Sequence, residues 1–208
     1  MRAAPTKSYS TIAVAPGPAE PEPRTRAERV VRSVLDAAIE ELGRVGFRSV
    51  TVEEVARRAG VNKTTVYRRW PTKSALVQAA FERFGASITA PDTGSLEGDL
   101  TAFIHSKFDL AKTPKGRALV RGLHAEGFDP ELFAISKRLR KQELALYETM
   151  FDQARRRGEV RAGVSCEVLM QVVEGALSLR FLLDGKFAGR AEVKRVLDIV
   201  LRGALARG

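Results

Sequence analysis

Apolar residues recur along most of this chain at the three-to-four-residue spacing of a helix face. Between Arg26 and Val45, residues Val31, Val34, Leu35, Ala38, Leu42 and Val45 fall at offsets 0, +3, +4, +7, +11 and +14, and Gly43 and Gly46 are expected to end that helix. Thr51-Val52-Glu53-Glu54 reads as a capping box that starts a second helix, which runs to Ala59 because Gly60 favours the left-handed turn that closes a helix. A third short helix fits Asn62 to Arg69 and stops at Trp70-Pro71, since proline disfavours helical geometry in its predecessor. Thr72 caps a fourth, carrying Leu76, Ala79, Ala80, Phe84 and Ile88.

Beyond the Pro91-Asp92-Thr93-Gly94 break the pattern stays helical. Ser95 caps a helix bearing Leu96, Leu100, Phe103, Ile104 and Phe108, and Thr113-Pro114 and Asp129-Pro130 each join a capping residue to a proline at the first helical position. The helix after Asp129 is long and ends in Arg155-Arg156-Arg157-Gly158. Val168 to Leu183 is apolar around most of its circumference and must be covered on more than one side. Val193, Val196, Leu197, Val200, Leu201, Ala204 and Leu205 form a broad stripe on the last helix. No alternating strand pattern interrupts this, so the fold class is all-α.

Composition narrows the setting. Among 208 residues a single cysteine, Cys166, excludes an intramolecular disulfide and a Cys-rich zinc site, which together with the lack of an export signal suggests a cytoplasmic protein. No stretch approaches the roughly 18 uninterrupted apolar residues of a membrane span, so no membrane partner is expected. Residues 1–23 hold five of the nine prolines and read as a disordered tail. Residues 24–84 carry 13 basic against 7 acidic groups, whereas residues 85–208 carry 20 against 16, so the smaller segment has the larger excess. That asymmetry suits a polyanionic partner for the front third.

Catalytic signatures are missing: there is no GxSxG elbow, no phosphate-cradling GxxxxGK[ST], no HExxH and no GxGxxG after a strand. His105 and His124 sit on different predicted helices without ligand spacing, so neither a metal nor a cofactor is expected, and the chain does not read as an enzyme.

Residues 51–70, TVEEVARRAGVNKTTVYRRW, describe two short helices joined by a tight turn. Val52, Val55, Val61 and Val66 supply the contacts that fix the crossing, and Lys63, Thr64, Tyr67, Arg68 and Arg69 are left pointing outward from the second helix, the one that enters the major groove in a helix-turn-helix. With the following PTKSAL and the apolar helix behind it, this segment resembles the TetR family of bacterial transcriptional regulators, closely so from Arg26 to about Phe84. The resemblance implies an N-terminal three-helix helix-turn-helix DNA-binding domain over residues 24–84 and a larger helical ligand-binding and dimerisation domain over residues 85–208. It places Lys63, Thr64, Tyr67 and Arg69 toward the groove and Thr65, Tyr67 and Lys73 near phosphates, in agreement with their donor chemistry. Thr51 and the backbone N–H groups behind it offer a further phosphate site.

The same resemblance implies a homodimer through the two C-terminal helices, a palindromic double-stranded operator, and a small-molecule effector whose binding changes the spacing of two DNA-reading heads. The aromatic or polar residues Phe103, Phe108, His124, Phe128, Tyr147, Phe151 and Arg180, on otherwise apolar helices, are the candidates to line its pocket. Arg180 calls for a partner, either Glu174, Asp184 or an acidic ligand. Two other classes stay open: a non-specific architectural DNA binder, and a small-molecule-binding protein with an accidental helix-turn-helix.

Overall fold

The computed structural model describes residues 25–125 and 129–204, the side chains at 118, 121–125 and 203–204 excepted. The expected N-terminal tail lies outside the described residues. Among these residues there are nine helices and no strand: α1 (Arg26–Ser49), α2 (Val52–Ala59), α3 (Lys63–Arg69), α4 (Lys73–Gly85), α5 (Leu96–Lys112), α6 (Pro114–Ala125), α7 (Pro130–Arg156), α8 (Cys166–Asp184) and α9 (Arg190–Ala204).

The starts follow the capping chemistry. Thr51, Thr72 and Ser95 accept from the backbone N–H of Glu54, Ala75 and Gly98, and Asp129 accepts from Glu131 and Leu132 ahead of Pro130. Three expectations are corrected. The second helix has only half a capping box, because the Glu54 carboxylate turns to Arg57 at 2.6 and 2.8 Å instead of reaching back; the complete box is Thr25 with Glu28, at the start of α1. Gly43 stays helical inside α1, and the expected break falls at Gly46 alone, whose φ of 79° and ψ of 169° are non-helical and set off the short last turn that carries Phe47 into the core at 1% exposure. The fourth helix closes at Gly85, short of Ile88.

Two apolar clusters result. The first joins α1 to α4 around Leu42, Phe47, Val55, Val66 and Leu76 and extends to Leu119, Leu132 and Ile135 of α6 and α7. The second gathers Phe103, Tyr147, Phe151, Val173 and Leu197 from α5, α7, α8 and α9. Ion pairs stitch the first cluster to the body, with Arg83 and Lys115 converging on Asp36 at 3.0 and 3.2 Å.

On α8 the described residues cover one side. Cys166, Leu169, Met170, Val173 and Leu177 are buried, while Val168, Val172, Leu179, Leu182 and Leu183 stay 53–75% exposed on the opposite face. Ile199 on α9 is 74% exposed. The cover that the sequence requires for this face is therefore not supplied by the described residues.

Candidate nucleic-acid interface and effector cavity

The crossing of α2 and α3 is fixed from three directions. Val55, Ala56 and Val66 are almost wholly buried between them. Gly60 takes the left-handed conformation at φ 68° and ψ 31°, which lets the Val61 N–H return to the Ala56 carbonyl at 3.0 Å. Asn62 then caps α3 through the Thr64 N–H at 2.9 Å. Behind this pair, Glu41 of α1, 2% exposed, receives Arg44 at 2.7 Å and Arg58 of α2 at 2.8 Å, and the Ser33 hydroxyl donates to the Ala59 carbonyl at 3.1 Å. The hydrogen bond from Arg44, opposed by burial and reinforced by the charges of Arg44 and Arg58, holds the Glu41 carboxyl below the usual range.

With Val66 inward, a helix advancing about 100° per residue aims Thr64 and Arg68 most directly outward. Lys63 and Tyr67 flank them on one side and Thr65 and Arg69 on the other; all except half-buried Thr65 are exposed. Tyr67 is 40% exposed and its hydroxyl donates to Glu53 of α2 at 3.2 Å. Partial desolvation and that carboxylate raise its pKa, so the phenol stays a neutral donor. The Arg69 guanidinium lies 5.7 Å from the centroid of the buried Trp70 ring. Lys73 is engaged differently from its neighbours: its ammonium donates to the Phe47 and Arg48 carbonyls at 3.0 and 3.3 Å and sits 4.5 Å from the Phe47 ring centroid. It thus caps carbonyls at the end of α1 and keeps one N–H for another acceptor. Thr51 is exposed at the start of α2.

In the body, a cavity of about 410 Å³ opens between α4, α5, α6 and α7. Of the seven expected lining residues only Phe103 borders it among the described residues. Four of the others are placed elsewhere, each for a physical reason. Phe151 is wholly buried core, and Tyr147 packs edge-on to Phe103 at 4.7 Å between centroids and points its hydroxyl at Glu174. Phe108 meets Phe187 at 5.8 Å on another side of α5. Arg180 finds structural partners, Glu192 at 2.8 Å and Asp184 at 4.0 Å. The side chains of His124 and Phe128 lie outside the described residues. The polar groups that do border the cavity are Glu82, Lys107, Gln142 and Glu143. Their signal was present in the sequence: Gln142 and Glu143 occupy the +3 and +4 positions between Leu139 and Leu146, where an apolar helix face would continue.

A basic two-helix reading head on a larger helical body with an apolar cavity defines a helix-turn-helix DNA-binding regulator. The comparisons narrow the class. Residues 34–80 match the family described as "Bacterial regulatory proteins, tetR family", and residues 90–200 match "Tetracyclin repressor-like, C-terminal domain". The HTH-type transcriptional regulator AqdR of Rhodococcus erythropolis is 32% identical over 157 residues, 75% of this chain and 76% of that protein. The DNA-binding transcriptional repressor TetR of Mycobacteroides abscessus is 30% identical over 182 residues, 85% of this chain and 94% of that one. Among solved structures, the TetR family transcription regulator SCO0332 superimposes with a TM-score of 0.67 at 31% identity, covering 84% of this chain and 98% of its own. The chain belongs to the TetR family and is a helix-turn-helix transcriptional regulator. Regulators of this family bind DNA operators and small-molecule effectors and typically act as dimers.

Proposed function

We propose that this chain is a ligand-responsive repressor that binds a palindromic operator as a homodimer, with residues 24–84 as the reading head and residues 85–208 as the effector-binding and dimerising body. One observation carries the reading: α3 presents Thr64 and Arg68 directly opposite its buried Val66, with Lys63, Tyr67 and Arg69 on the flanks. Arg and Lys donate to guanine acceptors, the Thr methyl meets thymine, and Thr51, Thr65 and Tyr67 hydroxyls serve phosphate oxygens. The remaining N–H of Lys73 suits a phosphate beside the end of α1. Repression follows the relative named a DNA-binding transcriptional repressor. DNA as target sets the place of action in the cytoplasm.

The uncovered α8 face and Ile199 of α9 supply the apolar surface for a second copy. A dimer places two copies of α3 on one face of the duplex, and an effector in the cavity touches α4 from Phe81 to Gly85, the helix whose other end, at Leu76 and Val77, anchors the head. Ligand that fits only one head spacing shifts the population away from the DNA-competent state.

Selection of bound duplexes from a random pool, at fixed near-physiological salt, tests this. Enrichment of an inverted repeat whose half-sites lie about one helical turn, roughly 34 Å, apart is expected. A pool that stays unenriched while the protein binds all duplexes equally would replace the repressor with an architectural binder.

A further inference from the structure

We propose that the cavity selects a cationic amphiphile, an apolar molecule carrying one protonated amine, and rejects the matching carboxylate; the inference rests on the cavity being the effector site. Among the described residues its walls are apolar except for one strip. There Glu82 of α4 faces Gln142 and Glu143 of α7, and Lys107 of α5 stands beside them. The Gln142 amide donates to Glu82 at 3.4 Å, and the Gln78 amide does so at 2.8 Å. The Lys107 ammonium pairs with Glu143 and, behind the wall, with Glu174 at 2.6 Å. Tyr147 adds a hydroxyl donor to Glu174.

The charge balance follows from these contacts. The Lys107 ammonium is matched by two carboxylates, Glu143 and Glu174, and Glu82 borders the same cavity as a third carboxylate with no cation among its described contacts. Arg140, the other cation acting on Glu174, is exposed on α7 and is no part of the lining. A carboxylate entering here would shed its hydration, find no uncommitted cation among the described residues and face Glu82 and Glu143. An ammonium would find Glu82, a carboxylate held only by neutral amide donors, and a charge-assisted hydrogen bond to it. A volume of about 410 Å³ accommodates a drug-sized apolar body.

The test is calorimetric titration of the full chain at pH 7 with decylamine, decanol and decanoate, each below its self-association concentration. These probes differ only in the head group. Decylamine should bind at least about tenfold tighter than decanoate, with decanol between them, and Glu82→Gln should cost the amine about tenfold. Glu82→Gln is the decisive variant because its amide still pairs with Gln78 and Gln142; Glu143→Gln should act in the same direction. The proposal falls if decanoate binds as tightly as the amine, if Glu82→Gln leaves the amine's affinity unchanged, or if none of the three binds. Release of operator DNA, followed in the same preparation, separates the two claims. Amine binding that depends on Glu82 but leaves the DNA complex intact would uphold the charge selectivity and overturn the effector role of the cavity.

Discussion

Replacing Gly60 by alanine perturbs the reading head through a single degree of freedom. Gly60 sits at φ 68° and ψ 31°, and a Cβ built there meets no atom within 4 Å. Steric crowding therefore contributes nothing, and the cost is the left-handed conformation itself, about 1 kcal/mol for an alanine. For a chain of this length that corresponds to about 2–4 °C in Tm. Asparagine, which tolerates this region, should lose less, and valine should lose more. Urea unfolding at constant protein concentration, with m unchanged, reads the difference. Because the loss is small against a total stability of about 5–15 kcal/mol, the folded head should still bind operator within about twofold of the wild type. The sign is decisive. Were Gly60 in right-handed helical geometry, alanine would stabilise by about 0.5–1 kcal/mol; an alanine variant as stable as the wild type, or more so, would refute the turn geometry on which the placement of α3 depends.

Further outcomes follow from the same contacts. Phe151→Ala removes a side chain with no exposure and should cost about 3–5 kcal/mol, whereas Phe133→Ala, at 60% exposure, should stay within about 0.5 kcal/mol of the wild type by thermal unfolding. Glu41 is depressed below its ordinary value of 4.5, so its contribution is complete above about pH 4.5 and is lost as pH falls through the folded-state value. Unfolding measured against pH should show an acid decline that flattens in Glu41→Gln. Burial, and then the nearby Glu148, pushes the Cys166 thiol up to about 12, so iodoacetamide at pH 8 should leave it unmodified in the native chain and alkylate it after denaturation. Leu179→Arg, on the 54% exposed face of α8, should yield a folded species that sediments as a monomer and binds operator at least about tenfold more weakly; a dimer of wild-type strength would move the interface elsewhere.

Helix identity was legible because most starts carry a capping residue and the apolar faces repeat at helical spacing. Thr72, Ser95 and Asp129-Pro130 mark their helices to the residue. The turn at Gly60 was equally plain, since a glycine between two short apolar-patterned helices has few other uses. Ends proved harder. Gly43 reads as a stop yet stays helical, and the fourth helix, read through Ile88, closes at Gly85. The cavity was hardest, because aromatic character marks burial without saying whether a side chain faces other side chains or a void. Phe151 and Tyr147 satisfy both descriptions in sequence and only the first in three dimensions. The informative residues were polar ones in core positions, Lys107 four after Phe103 and Gln142-Glu143 between Leu139 and Leu146. Arg180 shows both cases: Asp184, four residues on, could be chosen by spacing along its own helix, whereas the nearer partner, Glu192, lies on the next helix and could not.

The central claim is that α3 reads DNA sequence, and footprinting on the DNA flanking the protein's own gene tests it most directly, with random competitor at fixed near-physiological salt and Tyr67→Ala in parallel. The account predicts protection of an inverted repeat that survives competitor and disappears in the variant while its unfolding curve stays close to the wild type. Protection that competitor abolishes, or that Tyr67→Ala leaves unchanged, would contradict it.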